Sequence, residues 1–410
     1  MAKSKAKKSD QSKLRHKSKG ELPHESPCES QHKSQDNRVA LQATVVVTKD
    51  ALSEVVEQYQ AQIRHAIESK HKLKIVGGNT KSWYGNVYRQ PEAETMQTTL
   101  YQGVIEYEPS ELYIRVRAGT PLYEVKQILE QHGQMFAFEP PSFGENATIG
   151  GMIAAGLSGP RRAYAAAIKD HVLGVTMLNG RAELLRFGSK VIKNVAGYDV
   201  SRLMVGAFGS LGLLLDVTLK VVPKPQTESS LVFAMSEVDA LQKLNQWAGL
   251  PLPISASCYH AGRLTVRLSG AAAAVRAAER NLGGQVILDN AAFWGSVREQ
   301  QHHFFVPDPD LCLWRLSLPS AAPALALRGK SLVEWSGAQR WLWSHEELST
   351  VRETARKLGG HASMFRYATS NDEVFARLSP AIAKIEEGLR FAFDPHAVFQ
   401  LKRTASSQLG

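Results

Sequence analysis

Apolar side chains recur at regular spacings through most of the chain after residue 40. Between residues 50 and 67 they fall three or four positions apart, which predicts an amphipathic helix. Residues 111–119 alternate between polar and apolar instead, which predicts a half-buried strand. A second helix is predicted to open at Thr120-Pro121 and to end at Gly133.

The pattern changes after Pro223-Lys224-Pro225, which we take as a domain boundary. From Ser229 the predicted order is strand, helix, strand, strand and helix. This order is typical of a ferredoxin-like α+β sandwich. A more helical part is predicted to follow and to close the chain with the segment FAFDPHAVFQ.

The chain is therefore predicted to be an α+β protein with two domains, since 410 residues can form two hydrophobic cores. We expect a tail at 1–39, a first domain at 40–225 and a second, cap-like domain at 226–385. Residues 386–410 are expected to return to the first domain.

The tail carries much of the positive charge. The whole chain has a net charge of +10, and residues 1–38 hold ten Lys/Arg against five Asp/Glu, or +5. The tail has few large apolar residues, so we expect it to be disordered. A solvated tail explains this charge better than a nucleic-acid site, so we expect no specific nucleic-acid partner.

Cysteine usage and hydropathy restrict the chemistry further. The three cysteines are far apart and no C-x-x-C is present, so we expect neither a zinc site nor an iron–sulfur cluster on this chain. The paired His302-His303 lacks a nearby carboxylate at helical spacing, so no metal site is expected there either. Uncharged runs reach only about 13–14 residues, shorter than a membrane span. We expect a cytoplasmic protein that is at most peripheral to the inner membrane.

Three glycine-rich loops lie in the first domain, at Gly77-Gly78, 150–156 and 206–212. One such loop could be only a tight turn. Three of them indicate a long cleft in which bare backbone approaches a large, phosphate-bearing ligand. The dinucleotide fingerprint G-x-G-x-x-G does not follow the first strand, and no P-loop motif is present, so the phosphate would be held in another way.

The order of three long motifs points to a family. The segment GGNT is followed by PPSFGENATIGGMIAAGLSGPRR and then by KNVAGYD with GAFGSLGLL. This order resembles the FAD-linked oxidases of the vanillyl-alcohol oxidase/p-cresol methylhydroxylase (PCMH) type, and within them the FAD-binding subunits of bacterial glycolate oxidases. The resemblance covers roughly residues 45–403 and implies a PCMH-type FAD-binding domain followed by the ferredoxin-like cap.

The resemblance also implies a set of residues that bind FAD. The first loop would hold the pyrophosphate, the second would line the flavin and ribityl chain, and the third would close the adenine and ring side. The implied residues are Val76, Gly77, Gly78, Asn79, Thr80, Lys81, Pro140, Thr148, Gly150, Gly151, Ala155, Gly156, Asn194, Gly197, Tyr198, Asp199, Leu211 and Gly212. Many relatives link a first-loop histidine covalently to the flavin. Asn79 and Thr80 stand there in this chain, so the FAD is expected to be non-covalent.

Candidate catalytic residues come from the second half. Oxidation of a 2-hydroxy acid needs a base for the hydroxyl group and a cation for the carboxylate. His361 is the best candidate for the base, and Arg366 for the cation, with Arg315 and the Arg161-Arg162 pair as alternatives.

Three functions remain open at this point. The first is a glycolate-oxidising subunit that passes electrons to an iron–sulfur subunit and works beside a second FAD-linked flavoprotein subunit. The second is a non-catalytic subunit that holds FAD for electron relay or assembly. The third is a stand-alone FAD-dependent 2-hydroxy-acid dehydrogenase.

Overall fold

The computed structural model describes residues 49–85, 93–188, 199–366 and 374–399, with only the backbone of 49–51. The predicted tail and residues 189–198 lie outside these ranges. The first half contains, in chain order, α1 Lys49–Ser69, β1 Leu73–Val76, β2 Glu94–Gln97, β3 Val104–Glu108, β4 Tyr113–Arg117, α2 Leu122–Gln131, β5 Gln134–Met135, α3 Ile149–Ala155, α4 Arg162–Ala165, β6 Val172–Leu178, β7 Leu184–Gly188, β8 Leu213–Lys220 and β9 Val222–Pro223.

Five of these strands form an antiparallel sheet in the order β3-β4-β8-β6-β7. Its core includes Ile114 and Val116 on β4, which confirms the predicted strand there. Leu122, Val125 and Leu129 on α2 pack against the same core, so the predicted second helix is also confirmed. Strands β1 and β2 form a separate parallel pair beside this sheet.

The second half contains β10 Thr227–Ala234, α5 Glu237–Ala248, β11 Ile254–His260, β12 Arg263–Gly270, α6 Ala272–Leu282, β13 Gln285–Val286, α7 Asn290–Arg298, β14 Cys312–Ser317, β15 Lys330–Glu334, β16 Gln339–Ser344, α8 Leu348–Lys357, β17 His361–Arg366 and α9 Pro380–Phe393. Its strands form one sheet in the order β13-β10-β12-β11-β15-β16-β14-β17.

The first four strands of that order confirm the ferredoxin-like prediction. Numbered along the chain, β10 to β13 lie in the order fourth, first, third and second, with α5 and α6 as the connecting helices. The remaining four strands extend the same sheet through the edge strand β11, which pairs with β15. The hydrophobic pattern of the sequence did not predict that β14 to β17 extend this sheet. Strands pair through their backbone groups, so the side chains of a strand do not show which strand it pairs with.

The two halves are joined by a buried network of charges. Glu139 accepts hydrogen bonds from Arg161 at 3.0 Å and from Arg267 at 2.8 Å. Arg161 also pairs with Glu228, which belongs to β10. The described residues fall within one compact unit, so the domain boundaries proposed from the sequence stay a prediction.

The end of the described chain lies against the first half. Leu73 of β1 forms a parallel bridge with Phe399 and donates its backbone N–H to Val398 at 2.9 Å. The Asp394 carboxylate fixes this segment by accepting from the backbone N–H groups of Val398 and Phe399, each at 2.8 Å. Among the described helices, none has the length and apolar character required to cross a bilayer.

Candidate functional site

The first glycine loop leaves the end of β1 and packs directly on the chain that precedes α3. A Cβ added to Gly78 would lie 1.3 Å from the carbonyl oxygen of Asn146, and one added to Gly77 would lie 2.6 Å from Thr148 Oγ1. Only glycine allows this approach of two backbones. These two glycines therefore shape the loop through packing, in addition to any contact with a ligand.

The second loop begins α3 and leaves space above it. Thr148 caps the helix by accepting the backbone N–H of Gly151 at 3.1 Å. Gly150 packs against Ala118, to whose carbonyl it donates at 2.7 Å. A Cβ added to Gly151 would approach only Thr148 Oγ1, at 3.2 Å. A longer side chain at Gly151 would therefore extend into open space.

The third loop, 206–212, is tied to the end of α3. Gly206 donates to the carbonyl of Ile153, and Phe208 to that of Ala154, each at 3.0 Å. Gly212 has a φ of +143°, and a Cβ there would lie 2.4 Å from the carbonyl oxygen of Leu178. The three loops thus converge around α3.

Together the loops enclose a cleft of about 850 Å³, named here the glycine cleft. Many of the residues predicted to bind the cofactor line it. They are Val76, Gly77, Gly78, Asn79, Thr80, Lys81, Thr148, Gly150, Gly151, Ala155 and Gly212. Residues distant in sequence therefore meet at one site, as the resemblance implies.

Lys81 brings positive charge to the glycine cleft, and Lys126 lies behind it on the same Ser142. Lys81 donates to the carbonyl of Ser142 at 2.9 Å, and Lys126 donates to Ser142 Oγ at 3.1 Å. Burial lowers the pKa of each to about 8, with Glu299 opposing this shift. Glu299 also accepts the backbone N–H groups of Ser142 and Phe143, each at 2.9 Å. The Glu299 carboxylate, which belongs to the second half, thus fixes the loop at Ser142, the residue to which both lysines donate.

Four more of the predicted residues are described and do not line the glycine cleft. Pro140 is buried and its carbonyl accepts from Lys126 at 3.3 Å. Gly156 ends α3 in the left-handed region, where an added Cβ would lie 2.9 Å from Gly206 N. Leu211 belongs to the core of the five-stranded sheet, and Asp199 pairs with Arg202 at 2.7 Å on the surface. Asn194, Gly197 and Tyr198 lie outside the described residues.

Other residues line the glycine cleft that sequence reasoning missed. They are Lys74, Ile75, Ser82, Thr98, Ala118, Ala154, Phe208, Gly209, Leu213 and Leu214. Phe208 and Gly209 belong to the third glycine loop, so a closer reading of that loop could have found them. Ala118 and Thr98 carry no such signal, because they line the cleft only through the packing of neighbouring segments.

An aromatic cluster continues from the first loop toward the second half. Tyr84 contacts Phe208, with ring centroids 5.5 Å apart, and Phe365 at 5.1 Å. Trp83 also packs on Phe365, at 5.1 Å. The Arg366 guanidinium lies 4.4 Å from the centre of the Trp83 ring and donates to Gln300 at 3.3 Å. Arg366 is therefore held beside the first loop.

His361 lies at the other end of β17, opposite Ser317 of β14. It is exposed and lines neither the glycine cleft nor the neighbouring cavity described below. Although the residue is exposed, partial desolvation of its ring and the charge of Arg315 lower its pKa. Five residues along a strand separate His361 from Arg366 by roughly 16 Å, so the structure does not bring the two candidate catalytic residues together. Their catalytic roles stay predictions.

Comparisons with known proteins agree with this geometry. Residues 51–188 match the family described as FAD binding domain. Over 339 residues the chain is 42% identical to glycolate oxidase subunit GlcE of Escherichia coli (strain K12), which covers 82% of this chain and 94% of that subunit. The chain belongs to the GlcE family. The GlcE family is thus the part of the FAD-linked oxidases to which the motifs pointed.

More distant relatives share only part of the chain. Glycolate oxidase subunit GlcD of Bacillus subtilis (strain 168) is 31% identical over 137 residues, which is 33% of this chain and 29% of that subunit. Among solved structures, an alkyldihydroxyacetonephosphate synthase superposes with a TM-score of 0.57 at 14% identity, covering 84% of this chain and 74% of that one. This likeness supports the fold alone, a PCMH-type FAD-binding domain with an α+β cap.

The family uses FAD, and the residues of the glycine cleft fit this cofactor. The cleft is lined largely by backbone and small side chains, with open space above Gly151 and with Lys74 and Lys81 in its lining. Asn79 and Thr80, which stand where many relatives carry the linking histidine, offer no group for a covalent bond to the flavin. FAD is therefore the cofactor of this chain, and its non-covalent binding stays a prediction.

Proposed function

We propose that the chain is the FAD-binding subunit of a complex that oxidises glycolate to glyoxylate. The observation that carries the proposal is the glycine cleft in a chain that is 42% identical to a glycolate oxidase subunit across most of its length. Bound FAD would supply the acceptor for the hydride that leaves the substrate carbon. In this proposal, those predicted FAD-binding residues that line the glycine cleft bind FAD in the way assigned from the sequence.

The chain's own residues would position the cofactor and shield it. Backbone N–H groups of the first loop suit an anionic pyrophosphate, and Lys81 adds a positive charge beside that loop. Trp83 and Tyr84 would exclude water from the reacting side through their contacts with Phe365 and Phe208. The three cysteines of the sequence are too dispersed to hold an iron–sulfur cluster. Electrons would therefore leave to a separate iron–sulfur subunit. The complex would also contain a second FAD-linked subunit and would be at most peripheral to the membrane.

A second function is an FAD-holding subunit for electron relay or assembly. The separation of His361 from Arg366 favours it, because a base and a carboxylate anchor must reach one small substrate. In this alternative, substrate is oxidised only on the partner flavoprotein.

The two functions are distinguished by the visible absorption spectrum of the purified full-length chain, before and after glycolate is added without oxygen. We expect a flavin spectrum that bleaches. A flavin that stays oxidised would support the relay function and contradict oxidation by this subunit. A folded chain that retains no flavin, alone or co-purified with its partner subunits, would contradict both.

A further inference from the structure

A second cavity lies between the two halves of the molecule. It has a volume of about 320 Å³ and is named here the cap cavity. One wall is formed by 157–160 of the first half, and the opposite wall by Arg315, Glu334, Gln339 and Trp341 of the extended sheet. It is too small for a dinucleotide, and its enclosed part admits only a compact polar group.

Strand register gathers Arg315, Glu334 and Gln339 on one face of the sheet, while Arg298 and Gln300 line the cavity from the end of α7. The face is otherwise apolar and aromatic, with Leu313, Leu332 and Trp343 packed against residues of the first half. Arg315 lies opposite Trp341, and Glu334 lies opposite Gln339. Charged side chains on the buried face of a sheet are costly unless they are paired or have a function.

Arg315 is held in place but forms no ion pair with the described residues. Its Nε donates to Gln339 Oε1 at 2.8 Å, and its Nη1 donates to the Tyr84 hydroxyl at 3.5 Å. Its guanidinium lies 5.4 Å from the centre of the Trp335 ring and 5.9 Å from that of Trp341. Nη2 donates to no described residue, so the fork of the guanidinium is available to a carboxylate.

Glu334 is oriented toward the same space. Its Oε2 accepts the Trp341 indole N–H at 2.6 Å and the Gln339 amide at 3.0 Å. Its Oε1 accepts no hydrogen bond from the described residues. Burial raises the pKa of Glu334 to about 7. Because both donors use Oε2, Oε1 remains as the acceptor for a group inside the cavity.

The hairpin between β15 and β16 is strained to hold this arrangement. Trp335 and Ser336 have φ values of +54° and +53°, a conformation that is unfavourable for a bulky residue. The Trp335 indole N–H donates to the carbonyl of Gly159 at 3.0 Å, which ties the hairpin to the opposite wall. Arg162 lies 4.4 Å from the centre of the same ring. Strain of this kind is retained where the surrounding structure enforces it, and it is concentrated at functional sites.

We propose that the cap cavity binds the carboxylate of a small 2-hydroxy acid, with Arg315 on the carboxylate and Glu334 Oε1 accepting the hydrogen bond of the 2-hydroxyl group. The proposal rests on the proposed function, and it names the substrate-binding residues of that site. Tyr84 connects the two sites, since it contacts both Arg315 and Phe208 of the glycine cleft. Arg315, which the sequence offered only as an alternative, thus takes the anchoring role.

The test is calorimetric titration of the full-length chain with glycolate, acetate and glycolamide at pH 8.5, where Glu334 is ionised. The flavin is first photoreduced under nitrogen, so that no turnover occurs. We expect glycolate to bind more tightly than acetate, and glycolamide not to bind. Arg315→Met should weaken glycolate at least tenfold. Arg328→Met is the matched control, because Arg328 is exposed and pairs only with the surface residue Glu346.

Glu334→Gln tests the hydroxyl contact in a nearly isosteric side chain. The Gln oxygen must stay on the Trp341 and Gln339 donors, so its NH₂ group would face the cavity in place of an acceptor. The preference for glycolate over acetate should therefore fall about threefold to tenfold, while acetate binding is retained or tightened. Lowering the pH below 7 should reduce the wild-type preference in the same direction.

The outcomes separate this proposal from the function on which it rests. Flavin content is measured first, and its absence contradicts the FAD-binding function whatever the titration shows. Equal binding of glycolate to wild type and Arg315→Met, or no glycolate binding to a wild type that retains flavin, overturns the cap-cavity proposal alone. If Arg315→Met fails to fold, the glycolate affinity of Arg315→Lys tests the role of Arg315 instead. An unchanged preference of Glu334→Gln for glycolate over acetate overturns the role of Glu334.

Discussion

The glycine cleft and the cap cavity are built in different ways. The cleft is lined mainly by backbone and small residues from three loops that converge on α3. The cavity is lined by long polar and aromatic side chains that the register of β14, β15 and β16 places together. A backbone site leaves glycine motifs in the sequence, whereas a site assembled by strand pairing leaves no contiguous motif. The first could therefore be located before the structure, and the second could not.

The largest effect should come from removing a glycine that the cleft needs for packing. In Gly78→Ala the new Cβ would overlap the carbonyl oxygen of Asn146, which is backbone and cannot turn away. We expect the free energy of unfolding to fall by about 3 kcal/mol or more. Urea denaturation measures this fall. Gly388→Ala, in the exposed helix α9 where an added Cβ meets nothing within 4 Å, should instead raise stability by up to about 1 kcal/mol.

The next effect concerns the charges that join the two halves. Arg267→Met removes one of the two arginines that hold the buried carboxylate of Glu139. A buried carboxylate that loses a partner costs about 3–5 kcal/mol, and the remaining Arg161 should keep the loss near the lower end. Urea denaturation of Arg267→Met and the exposed control Arg328→Met should give clearly different midpoints. Equal midpoints would show that this network does not stabilise the junction.

A smaller and more specific effect is expected inside the glycine cleft. Gly151→Asp places a carboxylate in the glycine cleft, and its Cβ would lie 3.2 Å from the capping hydroxyl of Thr148, which must move by a few tenths of an ångström. We expect flavin affinity to fall by at least about tenfold, or about 1.4 kcal/mol, with little change in folding. Flavin content per folded chain is the measurement. Gly388→Asp controls for the cost of aspartate in a helix, and retention of full flavin by Gly151→Asp would contradict the cleft assignment.

The smallest expected effect is a loss of stability in acid that comes from His302 in the second half. Burial, together with the neighbouring His303 and His260, lowers the pKa of His302 to about 4. Between pH 6.5 and 4 the unfolded chain binds a proton at this site that the folded chain does not, so stability contributed by neutral His302 is lost as the pH falls. The urea midpoint of His302→Gln should therefore decline less than that of wild type between pH 7.5 and 5. Parallel declines would exclude His302 as the source.

The sequence by itself determined much of this protein. Alternation and helical spacing predicted β4, α2 and the ferredoxin-like order, because those signals arise from burial of one face of a single element. The glycine loops predicted the cleft, because a close approach of backbones excludes side chains and so requires glycine at fixed positions.

Only the tertiary structure decided the rest. It separated the glycines that line the cleft from Gly156, which serves the packing of α3 against the third loop. It also extended the sheet beyond β11 and so set Arg315 and Glu334 on one cavity wall, 19 residues apart in sequence. Strand pairing is made by backbone hydrogen bonds that are alike for every residue, so the register that brings distant side chains together cannot be read from those side chains alone.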